Sequence, residues 1–142
     1  SKVYGTGNDN LGDKNGGEVD YETMKRLMRE SRAFIYTGTW PASYTLSLIE
    51  AMMSGIPIVA IGKELAQTGR FEHMDFYEVH QSINNGVDGF VSDDINELRA
   101  RIAQLLENPE LAKTIGHNGR EKAIALFGKE TIQEQWRHFL CQ

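Results

Sequence analysis

The 142-residue sequence predicts an α/β fold, a parallel sheet with helices on both faces. Three observations carry this reading. Candidate strands alternate with candidate helices along the chain, the pattern that crossover connections between parallel strands produce. The stretch from Ala33 to Gly62 reads as strand, loop, helix, tight turn and strand. Its second strand, Ile58 to Ile61, is a continuous apolar and β-branched run, as suits a strand buried on both faces. The composition, 40% hydrophobic and 25% charged, is that of a globular domain, and the length supports one compact core.

Taken in order, Lys2 to Tyr4 reads as a short strand, followed by Gly5-Thr6-Gly7. Asn10 stands where a dinucleotide fingerprint needs its third glycine, and a polar loop follows instead of a helix, so a plain turn is the favoured reading. The Gly-, Asn- and Asp-rich segment to Gly17 has the composition of a surface loop. Asp20 is placed to cap a helix to about Ser31, with Tyr21, Met24, Leu27 and Met28 on its apolar face. Ala33 to Thr37 is the next strand. The loop Gly38 to Ser43 cannot extend it, because proline and glycine break the ladder. From Tyr44 to Ser54 the residues are apolar nearly all round, which predicts a buried helix. Gly55 is suited to end it with a positive φ, and Pro57 follows. Glu50 is the exception on that helix, since a carboxylate there needs a partner or a cleft.

Residues 63 to 83 are charged and hard to read. Glu72, His73, Asp75, Glu78 and His80 form a cluster, yet on one helix the two histidines would stand roughly 10 Å apart, too far to share an ion. A solvated face or lid is the expectation, with no metal. Gly89 to Ser92 is a fourth strand. Asp93 or Asp94 caps a helix to Glu107 with Ile95, Leu98, Ile102, Leu105 and Leu106 inward. Asn108-Pro109 opens another to about Leu126. Lys129 to Leu140 forms the last, with Ile132, Trp136 and Phe139 or Leu140 expected in the core.

The net charge of −5 argues against nucleic-acid binding and against a polybasic membrane patch. No apolar run is long enough to cross a bilayer, and no signal peptide opens the chain. The single cysteine, Cys141, points to a reducing compartment. A cytoplasmic location follows as the expectation, with peripheral membrane attachment of a larger parent as its variant.

Tyr44, Leu46, Glu50, Ala51, Met52, Gly55, Pro57, Val59 and Ala60 together resemble the signature of retaining GT-B glycosyltransferases of the family 4 type. That pattern runs Glu, Gly, aromatic, Gly, Leu, three residues, Glu-Ala-Met, a Gly and a Pro-Val-Val-Ala strand. Here Ala42 stands at the first Glu, and Ser43 and Thr45 stand at the two glycines. The segment Gly17 to Ala33 resembles the one preceding the signature. The resemblance implies that residues 1–142 are the C-terminal, Rossmann-like, nucleotide-sugar-binding part of such an enzyme, with an acceptor-binding domain and further strands upstream. By it, Glu50 binds the donor ribose, and Thr39, Ala42 and Val19 lie near the donor sugar or base.

Ligands of open parallel sheets sit at the carboxyl ends of the strands. The loop before the Tyr44–Ser54 helix lies there, and the free N–H groups from about Tyr44 to Leu46 favour a diphosphate, to which the Ser43 and Thr45 hydroxyls can add donors. The bland alternatives are a merely buried helix and a structural carboxylate at Glu50. No catalytic residue is identified, because alanine at position 42 cannot support charge at the reacting sugar. The expected partners are a nucleotide-sugar donor and, through the missing domain, a glycan or lipid acceptor, with no metal or other cofactor. The isolated chain is expected not to catalyse transfer and to dimerise through exposed sheet surface. A catalytically degenerate binding or assembly subunit and a sugar-nucleotide epimerase of related fold are the alternatives.

Overall fold

The computed structural model describes residues 3–4, 7–38, 42–67 and 76–141. They divide into two compact units, Ser1–Glu30 and Ser31–Gln142.

In the first unit, β1 (Val3–Tyr4) pairs in parallel with β2 (Asn15–Gly17) across a 3₁₀ turn at Asp9–Lys14. The turn and β2 lie in the segment expected to be a surface loop. Tyr4 packs its ring where a Cβ on Gly16 would stand, so the small residue makes room for the pairing. Helix α1 (Tyr21–Glu30) begins at the expected cap, where Asp20 Oδ1 accepts the Thr23 N–H at 2.8 Å. The Thr23 bonds, from backbone and hydroxyl, hold the Asp20 carboxyl below its usual range.

The second unit carries a three-stranded parallel sheet in the order β3 (Phe34–Tyr36), β4 (Ile58–Ile61), β5 (Phe90–Ser92). The expected strands are therefore present, but the described strands hydrogen-bond as two sheets, not one. Central β4 is buried on both faces, and its alternation divides the core. Ile58 and Ala60 join Leu48, Ala51 and Met52 of α2 (Leu46–Ser54) and Val79 of α4 (Val79–Ser82). Val59 joins Leu98 and Leu105 of α5 (Ile95–Glu107) and Ala112 and Ile115 of α6 (Pro109–Phe127). Helices thus cover both faces. The short α3 (Lys63–Ala66) follows β4.

The caps read from sequence hold. Gly55 sits at φ 78° and its N–H closes on Ala51 and Met52. Asp94, not Asp93, caps α5 through the Asn96 N–H, and Asn108 caps α6 through Leu111. Asp93 instead accepts the Leu65 N–H at 2.8 Å, beside Gly62.

Three expectations about the core are corrected. Ile95 and Leu106 are exposed at the margins of the α5 stripe. In α7 (Lys129–Leu140), Thr131 and Ile132 are partly buried and every residue from Gln133 onward is exposed, Trp136, Phe139 and Leu140 included. Its first turn is tied to α6 by the Thr131 hydroxyl on the Ala125 carbonyl, and its apolar face beyond that turn is left exposed by the described residues.

Asp88 is the one buried charged residue among those described, and it fastens α6 to the turn before β5. Its carboxylate accepts the Asn84 N–H at 2.7 Å and the Lys122 ammonium at 3.0 Å. Asn118 adds a bond to the Val87 carbonyl. Removing one partner of a buried pair strands the other. Asp88→Ala is expected to cost about 3 kcal/mol, lowering the melting temperature by about 10 °C. A thermal melt within a degree or two of wild type would contradict this account of the turn.

Candidate functional site

The carboxyl ends of β3 and β4 face the loop that enters α2. β3 ends at Tyr36, and Gly38, at φ 81°, turns the chain away from it. Thr39 lies outside the described residues. Ala42 and Ser43 are partly buried, and Tyr44 is exposed, its ring tilted against Phe127 with centroids 5.7 Å apart.

Helix α2 starts at Leu46, so Tyr44 and Thr45 precede it instead of opening it. Thr45 is extended, at φ −116° and ψ 159°, and occupies the N-cap. Its hydroxyl meets the Ser47 hydroxyl at 2.7 Å and caps no backbone N–H. The Leu48 and Ile49 N–H groups turn back to the Thr45 carbonyl. Leu46 and Ser47 therefore supply the first-turn N–H donors, with two hydroxyls beside them. The first turn holds no acidic residue, Leu46 is 77% exposed, and no side chain among the described residues caps the start of the helix. Such a terminus favours an anion.

Glu50 sits one turn further along, partly buried, with its backbone carbonyl accepting from the Ser54 hydroxyl. Val19 is partly buried between β2 and α1 of the first unit. Ser43, Tyr44, Thr45, Leu46 and Glu50 are thus brought together within eight residues of the second unit, and Val19 belongs to the first.

Sequence reasoning missed the residues that border this loop from the far side. Tyr77 is 6% exposed and donates its hydroxyl to the Ile61 carbonyl at 2.7 Å, at the end of β4. Burial, then the neighbouring Tyr36 and Asp93, push its phenol well above the ordinary range, so it stays a protonated donor at neutral pH. The Tyr36 hydroxyl and His80 Nδ1 are buried with no hydrogen-bond partner among the described residues. Glu72, His73 and Asp75 lie outside the described residues. A signal was present in the sequence, since Tyr77, Val79 and Ile83 interrupt an otherwise charged stretch and all three are buried. No helix among the described residues is long and apolar enough to cross a membrane.

A family model described as glycosyl transferase-like matches residues 1–137. The chain is 32% identical over 116 residues to the poly(ribitol-phosphate) alpha-N-acetylglucosaminyltransferase of Staphylococcus aureus, covering 80% of this chain and 21% of that protein. Its structure is similar to that of sucrose-phosphate synthase from Thermosynechococcus elongatus, with a TM-score of 0.66 and 26% identity over 94% of this chain and 31% of that one. HepE from Anabaena, solved with UDP, shares the fold at a TM-score of 0.68 and 24% identity, over 90% of this chain and 32% of its own. The chain spans about a fifth of the Staphylococcus relative and under a third of each of these two solved chains.

Proposed function

The chain belongs to the glycosyl transferase-like family, with the Rossmann-like fold of GT-B members, and from that premise we propose that it holds the donor of a retaining glycosyltransferase. The acceptor, a glycan or lipid, is bound by residues outside this chain. One observation carries the reading: α2 presents the uncapped N–H groups of Leu46 and Ser47 at the carboxyl ends of parallel strands, with Glu50 a turn behind them.

In this reading the diphosphate lies on the start of α2, where Ser43, Tyr44, Thr45 and Leu46 surround it. Charge grows on the diphosphate as the bond to the sugar breaks. Fixed N–H dipoles aimed at that charge stabilise it more in the transition state than in the ground state. Cations from outside this chain complete the task, and no metal or other cofactor is part of the proposal. Glu50 accepts hydrogen bonds from the ribose hydroxyls, each charge-assisted bond contributing about 1.5–3 kcal/mol. Thr39 and Ala42 border the sugar.

The Staphylococcus relative is named for transferring N-acetylglucosamine, and HepE has been solved with UDP and with UDP-glucose. Uridine nucleotides are therefore the first ligands to try. Titration of the full-length protein with UDP, GDP and ADP is expected to raise its melting temperature with one of them. At a ligand concentration of about 100 Kd the stabilisation is about 2.7 kcal/mol. A full-length protein that binds no nucleoside diphosphate or its sugar conjugates would overturn the donor-site reading.

Ala42 favours a second reading, a family member that binds its donor but no longer transfers the sugar. Tight donor binding with no product from the full-length protein would select it; steady turnover would remove it.

A further inference from the structure

The Gly38–Ser43 loop is gripped at both of its described ends by two consecutive residues that follow β4 in the chain. Tyr77 lies with its ring nearly parallel to that of Tyr36, centroids 6.4 Å apart and planes at 15°. Such offset stacking is favourable at this spacing. The same ring faces Gly38, where a Cβ would stand 3.4 Å from Tyr77 Cε2. Its hydroxyl is tied to the Ile61 carbonyl, so the ring spans the carboxyl ends of β3 and β4. His80 stacks on Tyr77 in turn, at 6.2 Å and 17°. One residue on, the Glu78 N–H donates to the Ser43 carbonyl at 3.3 Å.

We propose that Tyr77 and the Glu78 backbone are positioning residues for the donor, fixing Gly38 and Ser43, the residues that flank the entry to α2, beside the diphosphate. Tyr77 fixes the start of the loop by packing, and Glu78 fixes its end by a backbone bond. Neither needs to touch the donor. The inference rests on the donor-site reading above and assigns a role to the segment before β5 that this reading leaves without one. Its chemistry also accounts for the residue types. An aromatic ring stacks on Tyr36 and lies against Gly38, the Tyr77 hydroxyl reaches the Ile61 carbonyl, and glycine at position 38 supplies the positive φ of 81°.

The test compares four variants of the full-length protein, with UDP-glucose as the donor probe. Tyr77→Leu removes the ring, and Tyr77→Phe keeps it. Glu78→Pro removes the N–H, and Glu78→Ala keeps it. A misplacement of about 1 Å in a positioned group costs up to about 100-fold. Tyr77→Leu and Glu78→Pro are each expected to raise the donor Kd and KM about tenfold, with the acceptor KM unchanged. Tyr77→Phe and Glu78→Ala are expected to stay within about twofold of wild type. If Tyr77→Leu does not fold, Glu78→Pro carries the test, because Glu78 is exposed. Wild-type donor affinity in a folded Tyr77→Leu or Glu78→Pro variant overturns the inference, as does a Phe variant as weak as the Leu variant. If the wild-type protein itself binds no nucleotide sugar, the donor reading fails first, and the positioning role with it.

Discussion

Gly116→Ala should lower the melting temperature by about 5–10 °C, and Gly116→Val should leave no cooperatively folded protein. Helix propensity alone argues the other way, since alanine in a helix interior is favoured over glycine by about 1 kcal/mol. The contact decides the sign. Gly116 lies in α6, and a Cβ there would overlap the Gly55 carbonyl oxygen and press on Pro57. A flexible side chain could swing aside, but this neighbour is backbone. Gly55 is held in the left-handed cap of α2, with its N–H committed to Ala51 and Met52. The two helices would have to separate, opening the cluster in which Leu48, Ala51 and Met52 meet Ala123. Overpacking of this kind costs about 1–3 kcal/mol and occasionally more. Circular-dichroism melts of wild type, Gly116→Ala and the exposed neighbour His117→Ala separate the two effects. A Gly116→Ala protein as stable as wild type would mean that α2 and α6 do not approach as described. The consequence reaches the site, because α2 carries Leu46, Ser47 and Glu50.

The parts of this fold that were legible are those set by chemistry within a few residues. Gly55 with Pro57, Asp20, and Asn108 with Pro109 each announce a helix end through a backbone preference or a cap, and each stands where it was read. β4 was legible because only a strand covered on both faces is apolar at every position. β2 was not, because Asn15–Gly17 pairs through its backbone and has no apolar side chain to reveal it. The α2 boundary was misread at Tyr44 because Tyr44 fits the apolar pattern, while the extended Thr45 that starts the helix is a matter of backbone conformation. Trp136 was misplaced for the opposite reason. Its spacing on α7 is that of a core residue, but spacing identifies an apolar face without identifying what covers it.

The site divides in the same way. The loop, the helix and Glu50 are consecutive, so their proximity was readable from sequence. Tyr77 and Glu78 reach the same loop from more than thirty positions downstream, and only the fold brings them there. Charged neighbours hid Tyr77, since a stretch with that composition resembles a solvated face. Gly38 gave no hint of the ring beside it, because a glycine after a strand has an ordinary explanation as a turn residue.

Glu50→Gln should weaken binding of a nucleoside diphosphate by about tenfold to a hundredfold in the full-length protein, and the pattern of that loss identifies the contact. A carboxylate accepting from two ribose hydroxyls loses one acceptor and gains an N–H donor on becoming an amide. Hydrogen bonds to a charged group are worth about 1.5–3 kcal/mol, and about 1.4 kcal/mol is a factor of ten in affinity. A weaker Kd alone does not prove the contact, since Glu50 is also partly buried on a packed helix. The ligand must therefore be changed as well. Wild type is expected to prefer UDP over 2′,3′-dideoxy-UDP by at least about tenfold, and Glu50→Gln to bind the two within about threefold of each other. Two changes that remove the same interaction are non-additive, whereas an indirect effect of the mutation would weaken both ligands equally. Equal loss for both would place Glu50 away from the ribose and return it to a structural role. Loss of the preference in a variant with an unchanged melting temperature would assign the ribose to Glu50, and the diphosphate to the uncapped start of the helix that carries it.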